Sequence, residues 1–556
     1  MNIRNIFNIP ESKYSASQIV GWLWRAWRGN RRQAVINAVL GLLDVAVSLS
    51  SVWAVKHAID VASHVAEGSI YMAVSLMALL ILCGFAINIA AVWVRNILGI
   101  KAQNRMQQRM LDRILRSEWH GKEKRHSGDV LNRLEFDVNN VVSFLTETIP
   151  STLSVVALFL GSFFYLFSMD PVLAALIVFM LPLFILTSKV YVGHMRKLSR
   201  MVRNSDSKVQ SVLQETIQHR MLIKTLEKDR AMVDRLENMQ SELRHNVVRR
   251  TKFSVVSNLI LNFGFALGYL VAFLWSALRM SAGTLTFGGM TAFLQLVSKI
   301  QGPARNLTKL VPAFVSVFTA AERLMELEEN PLEEQGESVY MDNGSGGVGI
   351  RLDNVSYAYD DADKNVINNL SFDFKPHTCT AILGETGAGK TTLVRLVLAL
   401  MYPTAGGVYI YNNVVTYRMS PLMRCNIVYV PQGNTLLSGT IRDNLRMGRL
   451  DATDDEMFDA LDKACAGFVR ELPDGLDTNC AEAGGGLSEG QAQRIAIARA
   501  LLRKGSVMIF DEATSALDPE TERTLLDNLL HDHSHTIIFI THRPAVVDYC
   551  DQVLRM

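Results

Sequence analysis

Long apolar stretches separated by polar segments fill the first three-fifths of the 556-residue chain. A helix needs about 20 apolar residues to cross a hydrocarbon layer about 30 Å thick. Six stretches come close to this length or exceed it, and we predict a membrane-spanning helix in each: residues 34–55, 70–94, 149–169, 172–192, 253–278 and 285 to about 301. An even number of spans places both chain ends on the same side of the membrane.

Lysine and arginine are concentrated in the two segments that follow the second and fourth predicted spans. The connections on the opposite side carry few basic residues beyond Lys56 and Arg279. Because cytoplasmic loops of membrane proteins are enriched in Lys and Arg, we predict that both termini are cytoplasmic. The two basic segments contain little Gly or Pro, so we expect the spans to continue as long helices beyond the bilayer.

A short amphipathic segment, residues 17–28, precedes the first span. On a helix it would place Val20, Leu23, Trp24 and Trp27 on one face. Tryptophan-rich amphipathic helices lie in the headgroup plane of a membrane. We therefore predict an interfacial helix, with a plain soluble helix as the alternative.

Some charged residues fall within the predicted spans, where each costs roughly 2.5–3.5 kcal/mol at mid-membrane. Asp44 lies near the middle of the first span and either lines a water-filled substrate cavity or forms an interhelical pair. Lys299, Arg305 and Lys309 lie towards the cytoplasmic end of the last helix. Snorkelling of their ammonium or guanidinium groups to the headgroups explains all three more simply than a cavity. Asp44 and Lys299 remain candidate cavity residues.

The amino-acid composition argues against several kinds of function for this chain. Hydrophobic residues make up 49% of the chain and charged residues 20%, while the net charge is only +2. This balance gives no support for nucleic-acid binding. The six cysteines are scattered, without a CxxC pair, so we expect free thiols rather than disulfides or a metal site. The polar N-terminus predicts no cleavable signal peptide.

The remaining third of the chain is typical of a soluble α/β domain. A charged stretch at 326–337 and a Gly-rich break at 344–349 predict a linker ahead of it. An apolar strand at 378–383 then runs into a P-loop pattern, GxxxxGK[ST]. We expect its backbone N–H groups to wrap phosphates, Lys390 to neutralise the β and γ oxygens, and the Thr391 hydroxyl to coordinate Mg²⁺. The predicted phosphate-binding residues are Gly384, Glu385, Thr386, Gly387, Ala388, Gly389, Lys390, Thr391 and Thr392.

A second buried strand, 507–510, ends in Asp511 and Glu512. We expect Asp511 to hold Mg²⁺ and Glu512 to polarise the attacking water. Between the two strands, Ser488 and Gly490 stand at the start of a predicted helix, where backbone N–H groups can bind a second anion.

The pentapeptide Leu-Ser-Glu-Gly-Gln, residues 487–491, resembles the signature of ATP-binding cassette (ABC) proteins, with Glu489 where the commonest form has Gly. The order and spacing of the other motifs are similar to that family as well. The resemblance implies several further roles: Tyr359 stacking on adenine, Gln432 contacting ATP and Mg²⁺, Ser488, Gly490 and Gln491 closing over ATP, Ser515 and Asp518 in the D-loop, and Glu512 and His542 as catalytic residues.

Over nearly its whole length, the chain resembles ABC half-transporters of the exporter type. It is similar to multidrug exporters and lipid flippases. It implies an all-α six-helix transmembrane domain with long cytoplasmic helical extensions, followed by an α/β P-loop ATPase domain of the ABC type. The expected divisions are an interfacial elbow helix at 1–32, a transmembrane domain at 33–325, a linker at 326–349 and a nucleotide-binding domain at 350–556. Residues 128–137 and 215–226 are similar to the family's coupling segments.

The chain carries one P-loop and one signature. In the resembled family, the signature of one subunit closes over the ATP held by the P-loop of the other, which implies a dimer. Glu512, His542 and Ser488 are all intact, so we expect a homodimer, with a close half-transporter as the alternative partner. The sequence ends at Met556, before a turn, strand and helix that the family usually has, and we expect dimer contacts there to differ.

The expected function is ATP-driven export or flipping of an amphipathic or hydrophobic substrate by alternating access, with ATP and Mg²⁺ as cofactors. Whether the substrate is a small molecule, a lipid or a peptide is left open. One alternative is import of a metal–chelate complex on the same fold. Another is an ATP-gated channel or regulator, which would fit better with a lost Glu512 or His542. We expect a multi-pass protein of a bacterial inner membrane with a cytoplasmic ATPase domain and no nucleic-acid partner.

Overall fold

The computed structural model describes residues 13–119, 127–342, 346–359, 364–385, 387–480, 486–531 and 535–556. The chain divides into two compact units. The first comprises Met1–Met110 and Leu131–Leu327, and the second comprises Leu111–Val130 and Glu328–Met556. The short stretch 111–130 therefore belongs with the C-terminal unit, although membrane-domain helices precede and follow it in the sequence.

Helices account for the regular structure of the first unit. They are α1 (Ala16–Trp27), α2 (Arg31–Ala62), α3 (Ile70–Leu115), α4 (Gly128–Met169, with π-turns at Arg133–Asp137 and Phe144–Thr148), α5 (Pro171–Gln218), α6 (Arg220–Thr225), α7 (Asp229–Ser281) and α8 (Phe287–Glu328). With 46, 48, 53 and 42 residues, α3, α5, α7 and α8 are far longer than a span requires. The predicted helical extensions are confirmed.

Four helices among the described residues are long and apolar enough to cross a membrane: α2, α3, α4 and α7. They contain the first, second, third and fifth predicted spans. The fourth and sixth predicted spans fall in α5 and α8, which are not among these four helices, so the count of six stays a prediction. On α3, Phe85, Ile89 and Trp93 are each more than 60% exposed. A helix with such large exposed apolar side chains is suited to contact lipid rather than water.

The N-terminal helix α1 begins with a capping box in which the Ser15 hydroxyl accepts from the Gln18 N–H. Its buried side chains are Ile19, Trp22 and Leu23, while Trp24 is exposed. Of the four residues predicted to share one face, Val20 and Trp24 are exposed, Trp27 is half-buried and Leu23 is buried. The interfacial position of this helix stays a prediction.

Asp170 fixes the tight connection between α4 and α5. Its Oδ1 accepts from the backbone N–H groups of Val172 and Leu173, both at 3.0 Å, and so caps α5. Its Oδ2 accepts from Trp275 Nε1 at 2.9 Å and lies 3.4 Å from Arg279 Nη2. A single buried carboxylate thereby ties three helices of this unit together.

The described residues of the second unit form three sheets. An antiparallel sheet has the order β2-β1-β4-β5, a parallel sheet has the order β11-β3-β10-β9-β6, and β7 pairs with β8. The strands are β1 (Gly349–Tyr357), β2 (Ile367–Phe374), β3 (Cys379–Leu383), β4 (Ala405–Tyr411), β5 (Thr416–Arg418), β6 (Ile427–Val430), β7 (Gly439–Thr440), β8 (Asn479–Cys480), β9 (Val507–Asp511), β10 (Thr536–Ile540) and β11 (Gln552–Arg555).

Within its described residues, six α-helices and three short 3-10 helices accompany these sheets. The α-helices are α9 (Lys390–Val397), α10 (Ile441–Arg446), α11 (Asp454–Lys463), α12 (Glu489–Leu501), α13 (Pro519–Leu530) and α14 (Pro544–Val547), and the 3-10 helices are Pro421–Asn426, Gly467–Glu471 and Gly475–Asp477. Every residue of β9 and β10 is buried, as expected for parallel strands covered on both faces. Because the strands are parallel, β3, β6, β9 and β10 present their carboxyl ends at one edge. That edge is where such sheets place their ligands.

We expect Asp170→Ala to destabilise the first unit by about 2–4 kcal/mol, because it removes the cap of α5 and leaves the Trp275 N–H without its acceptor. Asp170→Asn should retain most of the stability, since asparagine also caps helices and keeps an acceptor oxygen. Thermal unfolding of the full chain in detergent measures both variants. An alanine variant that melts with the wild type would contradict this role.

Candidate active site at the edge of the parallel sheet

The P-loop connects β3 to α9. Gly387 and Gly389 have φ values of 92° and 98°, a region that glycine enters without strain. Lys390 follows as the first residue of α9 and is 92% buried. Its Nζ donates to the Gly384 carbonyl at 2.6 Å, which brings the ammonium back over the loop. Thr386 lies outside the described residues.

Three further side chains converge on this loop from the neighbouring strand ends. Lys390 Nζ lies 2.8 Å from His542 Nε2, and His542 Nε2 lies 3.3 Å from Glu512 Oε1. Gln432 Nε2 donates to Glu512 Oε2 at 2.6 Å. An ammonium group can only donate, so Nε2 of His542 accepts here and the ring proton belongs on Nδ1. Lys390, His542, Glu512 and Gln432 therefore form a row in which each side chain lies within 3.3 Å of the next.

Glu512 owes its position to an unusual backbone. It has a φ of +48°, and its N–H donates to the Ile540 carbonyl at 2.9 Å. Side chains other than glycine adopt this region at a cost of about 1–3 kcal/mol, and such residues cluster at functional sites. The turn directs the carboxylate of Glu512 to the same edge as the P-loop.

Asp511, the residue before it, is buried at the end of β9. Burial raises the pKa of its carboxyl, while the hydrogen bond from Tyr429 and the nearby Lys390 and Arg395 cations act in the opposite direction. The Tyr429 hydroxyl donates to Asp511 Oδ2 at 3.0 Å. Burial and the adjacent carboxylate in turn raise the pKa of the Tyr429 phenol, so it stays protonated and remains a donor.

Tyr359 lies beside the P-loop helix. Its hydroxyl is 3.0 Å from Thr392 Oγ1, and its ring meets Tyr357 edge to face at 5.1 Å. This places a half-buried aromatic ring next to the phosphate-binding turn, and its contact with adenine stays a prediction. The Thr391 side chain on the same helix is exposed.

The signature residues form the start of α12. The Ser488 hydroxyl accepts from the Gln491 N–H at 3.2 Å, and Gln491 Oε1 accepts from the Ser488 N–H at 2.9 Å, a complete capping box. A β-carbon on Gly490 would lie only 2.8 Å from the Ala516 carbonyl oxygen, so this position requires glycine. Ser488 itself remains exposed at the helix N-terminus, where it can meet an anion.

The predicted D-loop follows Glu512 and is held by residues that sequence reasoning did not single out. Gln493 Nε2 donates to Ser515 Oγ at 3.4 Å, and Arg543 Nη2 donates to the Ser515 carbonyl at 2.7 Å. Asp518 caps α13 by accepting from the Thr521 N–H at 3.0 Å. Arg543 directly follows His542 and Tyr429 lies three residues before Gln432, so adjacency to known motifs was the only signal available for them.

Magnesium would find suitable donors at this edge. The ion prefers oxygen ligands and is usually bound through one or two carboxylates together with substrate phosphates. The Asp511 carboxylate, the Thr391 hydroxyl and the Gln432 amide oxygen belong to this donor class. Asp511 ends β9, Thr391 is the second residue of α9, and Gln432 follows the end of β6. The residues present therefore fit Mg²⁺ as a partner of bound nucleotide.

The two candidate cavity residues lie in the first unit. Lys299 of α8 is half-buried, and its Nζ contacts Ser48 Oγ of α2. Asp44 is exposed on α2 one turn before Ser48, hence on the same helix face. The structure thus brings an acidic and a basic side chain to one face of α2, although neither is part of the nucleotide site.

Comparison with known proteins gives two family matches along the chain. Residues 35–304 match the ABC transporter transmembrane region family, and residues 367–515 match the ABC transporter family. Among curated relatives, the ATP-dependent lipid A-core flippase of Nitrosococcus oceani is 30% identical over 78% of this chain and 72% of its own. The multidrug resistance ABC transporter ATP-binding and permease protein of Lactococcus lactis is 28% identical over 93% of this chain and 88% of its own.

A solved structure shares the fold. A bacterial Atm1-family ABC exporter with ATP bound superposes with a TM-score of 0.78 and covers 95% of this chain and 93% of its own, at 22% identity. The two halves matched by family models occupy most of the chain, in the order predicted from the sequence. The chain therefore belongs to the ABC transporter family, with a transmembrane region and a cassette that couples ATP hydrolysis to transport fused in one polypeptide.

Proposed function

We propose that two copies of this chain form a homodimer in a bacterial inner membrane and export, or flip between leaflets, an amphipathic or hydrophobic molecule, driven by ATP. Both termini and the cassette face the cytoplasm. The observation that carries the ATPase role is the convergence of Lys390, Gln432, Glu512 and His542 on the P-loop edge of the parallel sheet.

The chemistry assigned to these residues follows from their groups. Lys390 and the N–H groups of the P-loop hold the terminal phosphates, and Tyr359 stacks on the base. Glu512 polarises the attacking water, and His542 contacts the γ-phosphate, so charge that develops on the transferred phosphoryl group meets fixed partners. When bound, Mg²⁺ neutralises charge on the phosphate oxygens. Thr391, Gln432 and Asp511 would hold it.

A second copy completes the nucleotide site. The chain has a single P-loop and a single signature. Within the chain, the hydroxyl oxygen of the signature residue Ser488 accepts a hydrogen bond from the Gln491 N–H and so caps α12. Ser488 and the first-turn N–H groups of α12 then close over ATP bound by the P-loop of the other copy. A homodimer is favoured because Ser488, Glu512 and His542 are all present in this chain, so neither of its two sites needs a residue from another protein.

Transport by alternating access requires ATP to bind one arrangement better than the other. Inverting a two-state population from 1:99 to 99:1 needs about 5.5 kcal/mol of differential binding. Two nucleotides, each contacted by both copies, can supply this energy. Helices of 42–53 residues are stiff enough to carry movement between cytoplasm and bilayer.

Two observations support an amphipathic substrate. Relatives carry the names lipid A-core flippase and multidrug resistance transporter, and molecules of both kinds combine apolar and polar parts. Asp44, Ser48 and Lys299 place opposite charges and a hydroxyl on the face shared by α2 and α8. In an otherwise apolar cavity, such groups would orient the polar end of a substrate.

Glu512→Gln should lower the ATPase rate of the reconstituted protein at least about 100-fold, because the amide cannot polarise water. ATP binding should persist, since the phosphates are held by other residues. Measuring phosphate release and fluorescent-nucleotide binding on the same sample separates the two effects. Glu520→Gln, an exposed neighbour on α13, is the matched control and should match the wild type. Full hydrolysis by the Glu512 variant would refute the catalytic assignment.

Asp44→Asn should raise the concentration of stimulating compound needed for half-maximal ATPase stimulation by about tenfold, since a hydrogen bond to a charged group contributes about 1.5–3 kcal/mol. The compound is the best stimulator found in a screen of lipids, peptides and drugs in nanodiscs. Glu67→Gln, exposed in the connection after α2, serves as the control. An unchanged stimulation curve for Asp44→Asn would assign Asp44 a purely structural role.

A further inference from the structure

The P-loop helix α9 is held at its C-terminal end by an arginine outside the nucleotide site. Arg424, in the 3-10 helix Pro421–Asn426, donates through Nε to the Leu398 carbonyl at 2.7 Å and through Nη2 to the Ala399 carbonyl at 2.6 Å. The last carbonyl groups of a helix lack partners within the helix and carry its negative dipole end. The Arg424 guanidinium gives these carbonyl groups hydrogen-bond donors, and its positive charge stabilises the negative end of the helix dipole.

The orientation of Arg424 is set by Glu333, five residues beyond the end of α8. Arg424 Nη1 donates to Glu333 Oε2 at 2.8 Å, and Nη2 donates to Oε1 at 2.7 Å. The pair is bidentate, with side chains 27% and 13% exposed. Partial burial and two parallel charge-assisted hydrogen bonds distinguish it from a surface ion pair, which contributes little.

Backbone hydrogen bonds join this part of the linker to the chain that leaves α3. The Glu333 N–H donates to the Arg116 carbonyl at 2.9 Å, and the Glu118 N–H donates to the Pro331 carbonyl at 2.8 Å. Ser117 and Leu332 lie opposite each other in antiparallel register. The segments that follow α3 and α8 are therefore fastened together within the second unit.

The first of these segments also contacts α9 directly. The guanidinium of Arg395 lies 4.3 Å from the centre of the Trp119 ring, well within cation–π distance. Arg395 lies on α9 four residues after Thr391, so it shares a helix face with a predicted Mg²⁺ ligand. The helix α9 therefore contacts Trp119 at its side and Arg424 at its C-terminal end.

We propose that Trp119, Arg395, Glu333 and Arg424, here called the α9 clamp, are positioning residues for nucleotide binding. None of them needs to touch ATP. They fix where α9 begins, and therefore where Lys390 and Thr391 stand, through the two chain segments that come directly from α3 and α8. A shift of either segment changes the position of α9 and with it the affinity for nucleotide. The inference rests on the nucleotide role proposed above for Lys390.

The test uses Glu333→Gln in the full chain in lipid nanodiscs, with fluorescent mant-ATP as the probe. Glutamine keeps the size of the side chain but removes the charge that orients Arg424. We expect the Kd for mant-ATP to rise about fivefold to tenfold and the KM for ATP to rise with it, while kcat at saturating ATP stays within about twofold. Glu334→Gln removes the adjacent exposed carboxylate and should leave all three values unchanged.

A double-mutant cycle tests whether Glu333 affects nucleotide affinity through Arg424 or only stabilises the fold. If Glu333 acts through Arg424, the double variant Glu333→Gln with Arg424→Gln should bind mant-ATP no more weakly than Arg424→Gln alone. Trp119→Phe should retain more affinity than Trp119→Leu, because phenylalanine keeps a ring over Arg395. The proposal would be overturned if Glu333→Gln lowered the melting temperature but kept the wild-type affinity for mant-ATP. It would also be overturned if the effects of the two substitutions on the Kd were strictly additive. A wild-type chain that failed to bind mant-ATP would refute the role of Lys390 instead.

Discussion

The nucleotide chemistry depends on one constraint, the parallel direction of β3, β6, β9 and β10. Parallel pairing forces the residues that follow these strands to one edge of the sheet, whatever their separation in sequence. The P-loop, Gln432, Glu512 and His542 span more than 150 positions of the chain, yet their side chains contact each other there. Reversing a strand or shifting its register would remove its functional residue from the site.

A second structural feature connects the long helices of the first unit to the P-loop helix α9. An α-helix keeps its backbone hydrogen bonds within itself, so a long continuous helix can carry displacement along its length in the proposed cycle. The segment that follows α3 contacts α9 through Trp119, and the segment that follows α8 reaches it through Glu333 and Arg424. This gives α9 two roles in the proposed cycle, because its N-terminus carries Lys390 and its C-terminal end is held by Arg424.

Sequence patterns predicted the elements whose signal is local. Apolar length revealed the spans within α2, α3, α4 and α7, and the glycine spacing of residues 384–389 revealed the P-loop. The features that sequence reasoning missed depend on contacts between distant residues: Tyr429 with Asp511, Arg424 with Glu333, and Trp119 with Arg395. Tyrosine, arginine and tryptophan occur widely in proteins for packing alone, so only the fold identifies their partners. Leu23 is buried while Val20 and Trp24 are exposed, because the burial of a side chain depends on the neighbours that the fold supplies.

The most direct test of the central claim, that each ATP site is shared by two copies, combines two variants that each lack one half of the site. Lys390→Ala and Ser488→Arg are co-expressed with different tags, and the mixed dimer is isolated by sequential purification. Each variant alone should hydrolyse ATP at background rate. The mixed dimer contains one intact composite site and should recover activity, up to about half of the wild-type rate. A mixed dimer as inactive as its parents would show that each chain builds its site alone, and would contradict the account.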